Sequence, residues 1–211
     1  TVVTAARRLG VLPILERLRF LREDSLSKDD NKVFLLEEAG FVPPPKWWMH
    51  DMYSHTSYRR YADTGRDHAQ EVLEILERHT SSGSLTVADF GCGLARVLRY
   101  LPETFDRWGF DVNSTAIEWC QSALPNIHFA SHDLFPPLPA DDEAFDAVYA
   151  LSVLTHLSEA AARAWMFELR RCLKPGGELL VTVHGPSQIN ALFPDEKAAF
   201  LSGLPDYKGN V

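Results

Sequence analysis

A glycine-rich turn preceded by an acidic residue has the clearest chemical potential in this sequence. In VADFGCGLAR, residues 87–96, Asp89 stands before Gly91 and Gly93. Glycines allow a sharp turn and a close approach of ligand to backbone, and a helix predicted over 94–101 would offer its N-terminal amides to an anionic group. The Asp89 carboxylate would repel a pyrophosphate and attract an ammonium group. A ligand that carries a carboxylate and an ammonium on one carbon suits both features.

The glycine spacing departs from the dinucleotide-binding fingerprint. G-x-G-x-x-G needs a third glycine where helix and strand pack closely, and Arg96 occupies that position. A nicotinamide-dependent oxidoreductase is therefore a less favoured alternative. A non-catalytic cofactor-binding module is the other alternative that the sequence leaves open.

Two further acids follow the next predicted strands. Asp111 ends the strand RWGFD, residues 107–111, and an acid at the tip of a neighbouring strand is placed to accept both hydroxyls of a ribose. After the strand IHFAS, residues 127–131, Asp133 can accept from an exocyclic amine while Leu134 lies against a flat base. The two acids therefore favour a nucleoside ligand, and adenine fits the residues after the third strand.

These residues depend on alternating strands and helices. Strands are predicted over 85–90, 107–111, 127–131, 145–151 and 178–184, and helices over 65–79, 94–101, 114–124 and 158–173, with Ser114 and Ser158 as N-caps. The alternation predicts an α/β fold with a doubly wound, mostly parallel sheet and helices on both faces. Ligands of such sheets bind beyond the carboxyl ends of the strands, where the acids lie.

Three segments are predicted along the chain. Residues 1–45 form a helical extension, with a helix starting near Pro13, a polar break over 25–31 and a short helix over 32–40. Residues 46–64 form an aromatic segment that either caps the ligand cleft or attaches the extension to the core, and residues 65–211 form the core. The aromatic segment includes Trp47, Trp48, Met49, Tyr53, Tyr58 and Tyr61.

The ordered motifs over residues 65–185 resemble the class I S-adenosylmethionine-dependent methyltransferases. They are the acid-x-Gly-x-Gly turn, an acid ending the second strand, an acid after the third, and LKPGGELLVTVHG around the fifth. The resemblance implies a Rossmann-like fold, S-adenosylmethionine as cofactor and S-adenosylhomocysteine as product. The antiparallel strand pair that completes such sheets is expected to be missing or truncated, because 193–204 is predicted to be a helix.

The resemblance also implies which residues hold the cofactor. Asp89, Gly91 and Gly93 would bind the methionine end, Asp111 the ribose, and Asp133 with Leu134 the adenine, and the backbone around Ala150, Leu151 and Ser152 would pass near the sulfonium. Cys92, Val112 and His132 are further candidates for cofactor binding. Arg66 is a further candidate, either pairing with the cofactor carboxylate or standing in solvent at a helix start. No metal site is expected.

Two histidines at the ligand end of the sheet are candidate general bases. His156 follows the fourth strand and His184 follows the fifth, and imidazole titrates near neutrality. A base is needed only if the methyl acceptor must lose a proton. Packing or capping is the alternative role for both.

Charge and composition limit the classes of partner and the cellular setting that are expected. The net charge of −8 opposes sequence-independent binding to nucleic acid, so a small-molecule acceptor is expected. The segment before the glycine turn also resembles a subgroup of bacterial methyltransferases in which a short N-terminal segment forms part of the pocket. Three scattered cysteines without CxxC spacing predict a reducing, cytoplasmic setting, and no segment is expected to span a membrane. A homodimer and a larger parent chain are both left open.

Overall fold

The chain divides into two compact units, which are described separately. A computed structural model describes residues 12–79 and 84–183. The first unit is Thr1–His68 and the second is Ala69–Val211. Among the described helices, none combines the length and the apolar character that crossing a membrane requires. The predicted segments 1–45, 46–64 and 65–211 stay a prediction.

The first unit is built from helices. Helix α1 is Leu12–Glu37, α2 is Lys46–Tyr53, and α3, Tyr58–His79, begins in this unit. Pro13 lies in the first turn of α1, as predicted. The predicted polar break at 25–31 is wrong, because α1 continues through it. Helix α3 starts before the predicted residue 65 and passes through Gly65.

Tertiary hydrogen bonds explain why the polar stretch stays helical. The Asn31 side chain is buried, donates to the Thr56 carbonyl at 2.9 Å and accepts from the Tyr58 amide at 2.7 Å. The hydroxyls of Ser27 and Thr56 lie 2.8 Å apart. Polar residues that look like a loop in the sequence are therefore buried partners of the connection between α2 and α3.

The aromatic segment supplies much of the interior of the first unit. Met49 and Tyr61 are fully buried, and the Phe41 ring contacts those of Phe34 and Tyr61 at centroid distances of 5.1 and 6.1 Å. Trp47 stays partly exposed against Phe20, with ring centroids 5.1 Å apart. These contacts support a packing role, and the capping role stays a prediction.

The second unit contains the predicted parallel sheet, which confirms the fold class. Its strands are β1 Thr86–Phe90, β2 Asp106–Asp111, β3 His128–Ser131, β4 Phe145–Ala150 and β5 Leu173–Val181. Their order is β3-β2-β1-β4-β5, and each described pairing is parallel. The winding reverses between β1 and β4, the position where ligands of such sheets bind.

Helices cover both faces of this sheet. Helix α4 is Ser114–Ala123 and α5 is Glu159–Cys172. One apolar layer joins Val87 and Tyr149 to residues of α4 and of the second-unit part of α3. The opposite layer joins Ala88 and Phe90 to α5. Because neighbours along a strand point to opposite faces, Asp89 faces the first layer.

Two details of the second unit differ from the sequence prediction. Asn113, not Ser114, caps α4, because its side-chain oxygen accepts from the Ala116 amide at 3.1 Å. Strand β5 begins at Leu173, and its pairing with β4 shifts register between Phe145 and Ala147. The shift accommodates the KPGG segment, residues 174–177, which precedes the strand predicted over 178–184. The cap at Ser158 is confirmed, since its hydroxyl accepts from the Ala161 amide at 3.1 Å.

The predicted helix over 94–101 is wrong. Gly91, Gly93 and Ala95 have φ of 81, 53 and 58°, and only a short 3₁₀ helix, Leu98–Tyr100, follows. Positive φ is incompatible with a right-handed helix, so the chain turns repeatedly instead. The predicted strand end and helix beyond residue 183, with His184, lie outside the described residues.

Candidate active site

The carboxyl ends of β1 and β2 meet at the glycine turn. The amides of Gly91 and Cys92 donate to the Phe110 carbonyl at 2.8 and 3.0 Å. The Gly93 amide donates to Asp111 Oδ2 at 2.8 Å, and Asp111 Oδ1 accepts from the Asn113 amide at 2.8 Å. Two backbone donors thus orient the Asp111 carboxylate, whose remaining lone pairs can accept ribose hydroxyls.

The end of β4 packs tightly against the same turn. Gly91 has φ of 81°, and a Cβ added there would lie 2.3 Å from Val153 Cγ2. No larger residue fits without movement of one of the two segments. The glycine therefore allows the β1 turn and the chain after β4 to approach each other.

Asp89 is a buried carboxyl group on the face of the sheet that packs against α4. Its side chain is 5% exposed, and burial raises its pKa to about 7. Hydrogen bonding of the Tyr149 hydroxyl lowers the Asp89 pKa against this effect of burial. The negative charge of Asp111 raises the pKa further, and the positive charge of Arg96 lowers it by a smaller amount. A buried carboxyl with so little compensation attracts a cationic ligand group.

The loop after β3 presents an aromatic stack and an exposed apolar residue. His132 stacks on Phe90 with centroids 5.1 Å apart, and its Nδ1 donates to the Asp133 carbonyl at 2.7 Å. Leu134 is exposed, and the Trp165 indole N–H donates to its carbonyl at 3.1 Å. The exposed Leu134 side chain is available to a flat apolar ligand.

The ends of β4 and β5 are joined by hydrogen bonds. Ala150 is fully buried, and its carbonyl accepts from the Thr182 amide at 3.2 Å. Ser152 has φ of 60°, and its amide donates to Thr182 Oγ1 at 2.6 Å. This bridge holds the backbone where the reactive end of a ligand is expected.

The second unit thus brings most predicted cofactor residues to one edge of the sheet, and three candidates stand apart. Arg66 belongs to the first unit, where its guanidinium pairs with Glu38 at 2.9 Å and Asp63 at 3.3 Å. His156 is exposed on the 3₁₀ helix Leu154–His156. His184 lies outside the described residues. Their functional roles stay predictions.

Sequence reasoning missed several residues of this edge. Trp165 lies at helical spacing from the other buried residues of α5, so its burial could be predicted from the sequence. Its hydrogen bond to the Leu134 carbonyl could not. Tyr149 and Val153 belong to an almost wholly apolar stretch, which gives no signal of the side each residue faces. Their positions follow only from strand pairing.

These residues fit S-adenosylmethionine. Asp89 would offer a desolvated carboxyl to the ammonium group, and Asp111 would offer its remaining lone pairs to the ribose. Val112 and Leu134 are exposed apolar residues in the segments after β2 and β3, and His132 Nε2 is buried with no hydrogen-bond partner among the described residues. The segments that follow β1, β2 and β3 therefore supply groups of the kinds that the parts of this cofactor would need.

Other features of the described residues do not compete with this site. A cavity of about 530 Å³, lined in part by Thr86, Asp106 and Asp141, lies at the amino ends of the strands. Another of about 510 Å³, lined in part by Met166 and Phe167, lies along α5. Neither includes a predicted site residue. No group of three or more potential metal ligands occurs in residues 12–79 and 84–183.

Comparisons with known proteins agree with the geometry. Residues 87–177 match a family model described as a methyltransferase domain. Over 148 residues the chain is 31% identical to phthiotriol/phenolphthiotriol dimycocerosates methyltransferase 1 of Mycobacterium ulcerans, covering 68% of this chain and 52% of that protein. It is 28% identical over 149 residues to the probable tRNA methyltransferase 9B of Bos taurus, covering 70% and 31%. The chain thus spans about half or less of these relatives.

Solved structures include similar chains. The SAM-bound amino pentose methyltransferase CalS10 of Micromonospora echinaspora is 23% identical, with a TM-score of 0.48. The alignment covers 60% of this chain and 52% of that one.

Proposed function

From the match of residues 87–177 to a methyltransferase domain, we propose that the chain is a class I S-adenosylmethionine-dependent methyltransferase and that it transfers a methyl group from this cofactor to a small-molecule acceptor. The observation that carries the proposal is the Gly93 amide bound to Asp111 beside the buried Asp89. It supports a site with separate places for ribose hydroxyls and for an ammonium group. The nicotinamide alternative is not favoured, since the matched relatives are named as methyltransferases.

The chain's own residues contribute binding and alignment. When bound, S-adenosylmethionine supplies an activated methyl group on a sulfonium, which is a good leaving group. Asp89 binds the ammonium group of the cofactor and Asp111 its ribose, and the bridge from Thr182 to Ala150 and Ser152 supports the backbone near the reaction. Such alignment matters because well-oriented reactions show effective molarities of about 10⁵–10⁸ M.

The reaction requires a general base only if the methyl acceptor must lose a proton. His156 and His184 stay the two candidates, on the chain after β4 and after β5. If His184 is the base, His184→Ala lowers turnover far more than it lowers cofactor affinity. His128→Ala is a matched control, since His128 begins β3 at the other end of the sheet. Unchanged turnover of His184→Ala with the true acceptor removes that role.

A tRNA acceptor is the second candidate, because one matched relative is named as a probable tRNA methyltransferase. The net charge of −8 weighs against it, since binding of a phosphate backbone requires clustered cations. Transfer of a labelled methyl group to a panel of small molecules and, in parallel, to total tRNA separates the two. Labelled small molecules support the proposal, and labelled tRNA alone overturns the small-molecule part.

Cofactor binding is tested independently of the acceptor. Calorimetric titration with S-adenosylhomocysteine and with NADH is expected to show binding of the first only. Binding of NADH alone would favour the oxidoreductase. Binding of S-adenosylhomocysteine without transfer to any acceptor would favour a non-catalytic module.

A further inference from the structure

Asp89 has a specific neighbour on β4 to which no role has been given. Asp89 and Tyr149 are paired residues of the parallel strands β1 and β4. Paired residues of adjacent strands project from the same face of a sheet, so both side chains enter the layer covered by α3 and α4. Tyr149 is 1% exposed and Asp89 5%. A hydroxyl and a carboxyl are therefore buried on the same face of the sheet, which also carries the buried Arg107 of β2.

The Tyr149 hydroxyl needs a partner. Among the residues that the structure describes, it has no hydrogen bond of ordinary geometry. It nevertheless lies near enough to Asp89 for its hydrogen-bonding effect to lower the Asp89 pKa against burial. A buried hydroxyl without a partner costs about 1–3 kcal/mol, and hydrogen bonds of a ligand-free site often tighten when ligand binds. Burial and, after it, the charge and hydrogen bonding of Asp89 raise the pKa of the Tyr149 hydroxyl.

The charged groups around Asp89 and Tyr149 also affect the protonation of Asp89. Asp111, at the end of β2, disfavours the charged form of Asp89, and Arg96, in the turn after β1, favours it. The other titratable groups coupled to this pair are the Cys92 thiol of the turn, the Cys120 thiol of α4 and, through Tyr149, Arg107 of β2. The two thiols are held neutral because burial raises their pKa values. Tyr149 is thus the neutral hydrogen-bond donor that favours the ionised Asp89.

We propose that Tyr149 is a positioning residue of the cofactor site: its hydroxyl donates to the Asp89 carboxylate, keeping that group ionised and oriented toward the cofactor's ammonium. This inference rests on the proposed function, because it assigns Tyr149 a role in binding the amino-acid end of S-adenosylmethionine. Tyr149 acts through Asp89 and does not touch the reacting atoms. Without the hydroxyl, Asp89 holds a proton at neutral pH and presents a weaker acceptor to the ammonium group.

The experiment measures the pH dependence of S-adenosylhomocysteine affinity by calorimetry, from about pH 5.5 to about pH 9. Wild-type affinity is expected to rise through about pH 7 as Asp89 ionises. In Tyr149→Phe the rise moves upward by about one pH unit, which weakens binding roughly fivefold at neutral pH and very little at high pH. The ligand's own ammonium titrates identically in both proteins.

Tyr100→Phe is the matched control. Tyr100 is half-buried against the same apolar layer, on the 3₁₀ helix Leu98–Tyr100, and its loss of a hydroxyl is expected to leave the pH midpoint in place. A purely structural role for Tyr149 would weaken binding equally at all pH values. An unshifted midpoint in Tyr149→Phe therefore overturns the inference while the proposed function stands.

Two further measurements separate the possible failures. In an Asp89→Asn background, Tyr149→Phe is expected to have no additional pH effect, and an undiminished effect would show that Tyr149 acts elsewhere. If Tyr149→Phe does not fold, NMR of the wild-type protein decides: the Tyr149 ring resonances are expected to shift with the same pH midpoint as the ¹³C resonance of the Asp89 carboxyl, and ring resonances that do not follow that titration overturn the inference. If the wild-type protein binds no S-adenosylhomocysteine at any pH, the proposed function fails as well.

Discussion

The Asp111 carboxylate accepts a hydrogen bond from the Gly93 amide at 2.8 Å, so the acid that ends β2 is tied to the turn that follows β1. The second oxygen accepts from the Asn113 amide at the same distance. One side chain therefore links the ends of both strands. Several expected outcomes depend on this edge of the sheet.

Replacing Asp111 is expected to impair cofactor binding most. Asp111→Ala removes the ribose acceptor and releases the Gly93 amide, so S-adenosylhomocysteine affinity falls at least about tenfold in calorimetry. Asp111→Asn keeps one oxygen and gives a smaller loss. Asp106→Asn, at the other end of β2, is the control and leaves affinity unchanged. Near-normal affinity of Asp111→Ala would remove the ribose assignment.

Adding a methyl group at Gly91 separates steric conflict from backbone strain. Gly91→Ala forces a Cβ to within 2.3 Å of Val153 Cγ2 at a φ of 81°. Gly176→Ala has nearly the same φ, 78°, but its Cβ meets nothing within 4 Å. Strain alone costs about 1–2 kcal/mol, and overpacking adds about 1–3 kcal/mol. Urea unfolding is therefore expected to show a clearly larger loss at Gly91, and equal losses would argue against the close packing.

The buried Asp89 carboxyl is expected to make stability depend on pH. Its pKa in the folded chain, about 7, exceeds the ordinary 3.8, so the folded state binds the proton more tightly than the unfolded state. The resulting stabilisation is complete below about pH 4 and is lost as the pH rises through about 7, an upper bound on the order of 4 kcal/mol. Denaturant unfolding of the ligand-free protein should therefore show less stability at about pH 8 than at about pH 5.

Asp89→Asn tests the source of that slope. The variant lacks the titrating group and is expected to flatten the change of unfolding free energy over the same interval. Asp146 and Glu168 have lowered pKa values, so their contributions are lost only as the pH falls through the acidic range. A slope that is equally steep in Asp89→Asn would assign it to other groups.

The bond from Trp165 to the Leu134 carbonyl is expected to support the adenine end of the site. Trp165→Phe keeps an aromatic ring in the core but leaves that carbonyl without its indole donor. Affinity for S-adenosylhomocysteine should fall about three- to tenfold, in line with the loss of one hydrogen bond that orders the loop. Trp108→Phe is the control, because the Trp108 indole donates to Asp106 and not to the loop after β3. This variant should bind S-adenosylhomocysteine with normal affinity. Equal losses in both variants would indicate general destabilisation.

Pattern in the chain was enough to predict the architecture. Alternating apolar strands and amphipathic helices predicted five parallel strands, and the acids after them predicted where a ligand binds. The first inference is confirmed because hydrophobic periodicity is a local property, and the position of the ligand stays a prediction. Local signals failed where a distant partner decides the conformation, as for the polar residues around Asn31, which continue a helix because Thr56 and Tyr58 satisfy their side chains.

The acid-x-Gly-x-Gly turn shows the same division. Its residue types alone pointed to a ligand with an ammonium group and a nucleoside, and to a family. Only the tertiary structure showed that no α-helix follows the turn directly, that the Gly93 amide donates to the Asp111 carboxylate, and that Tyr149 is paired with Asp89 across β1 and β4. Contacts between strands depend on pairing and register, and burial, which sets the Asp89 pKa, depends on every element packed around it.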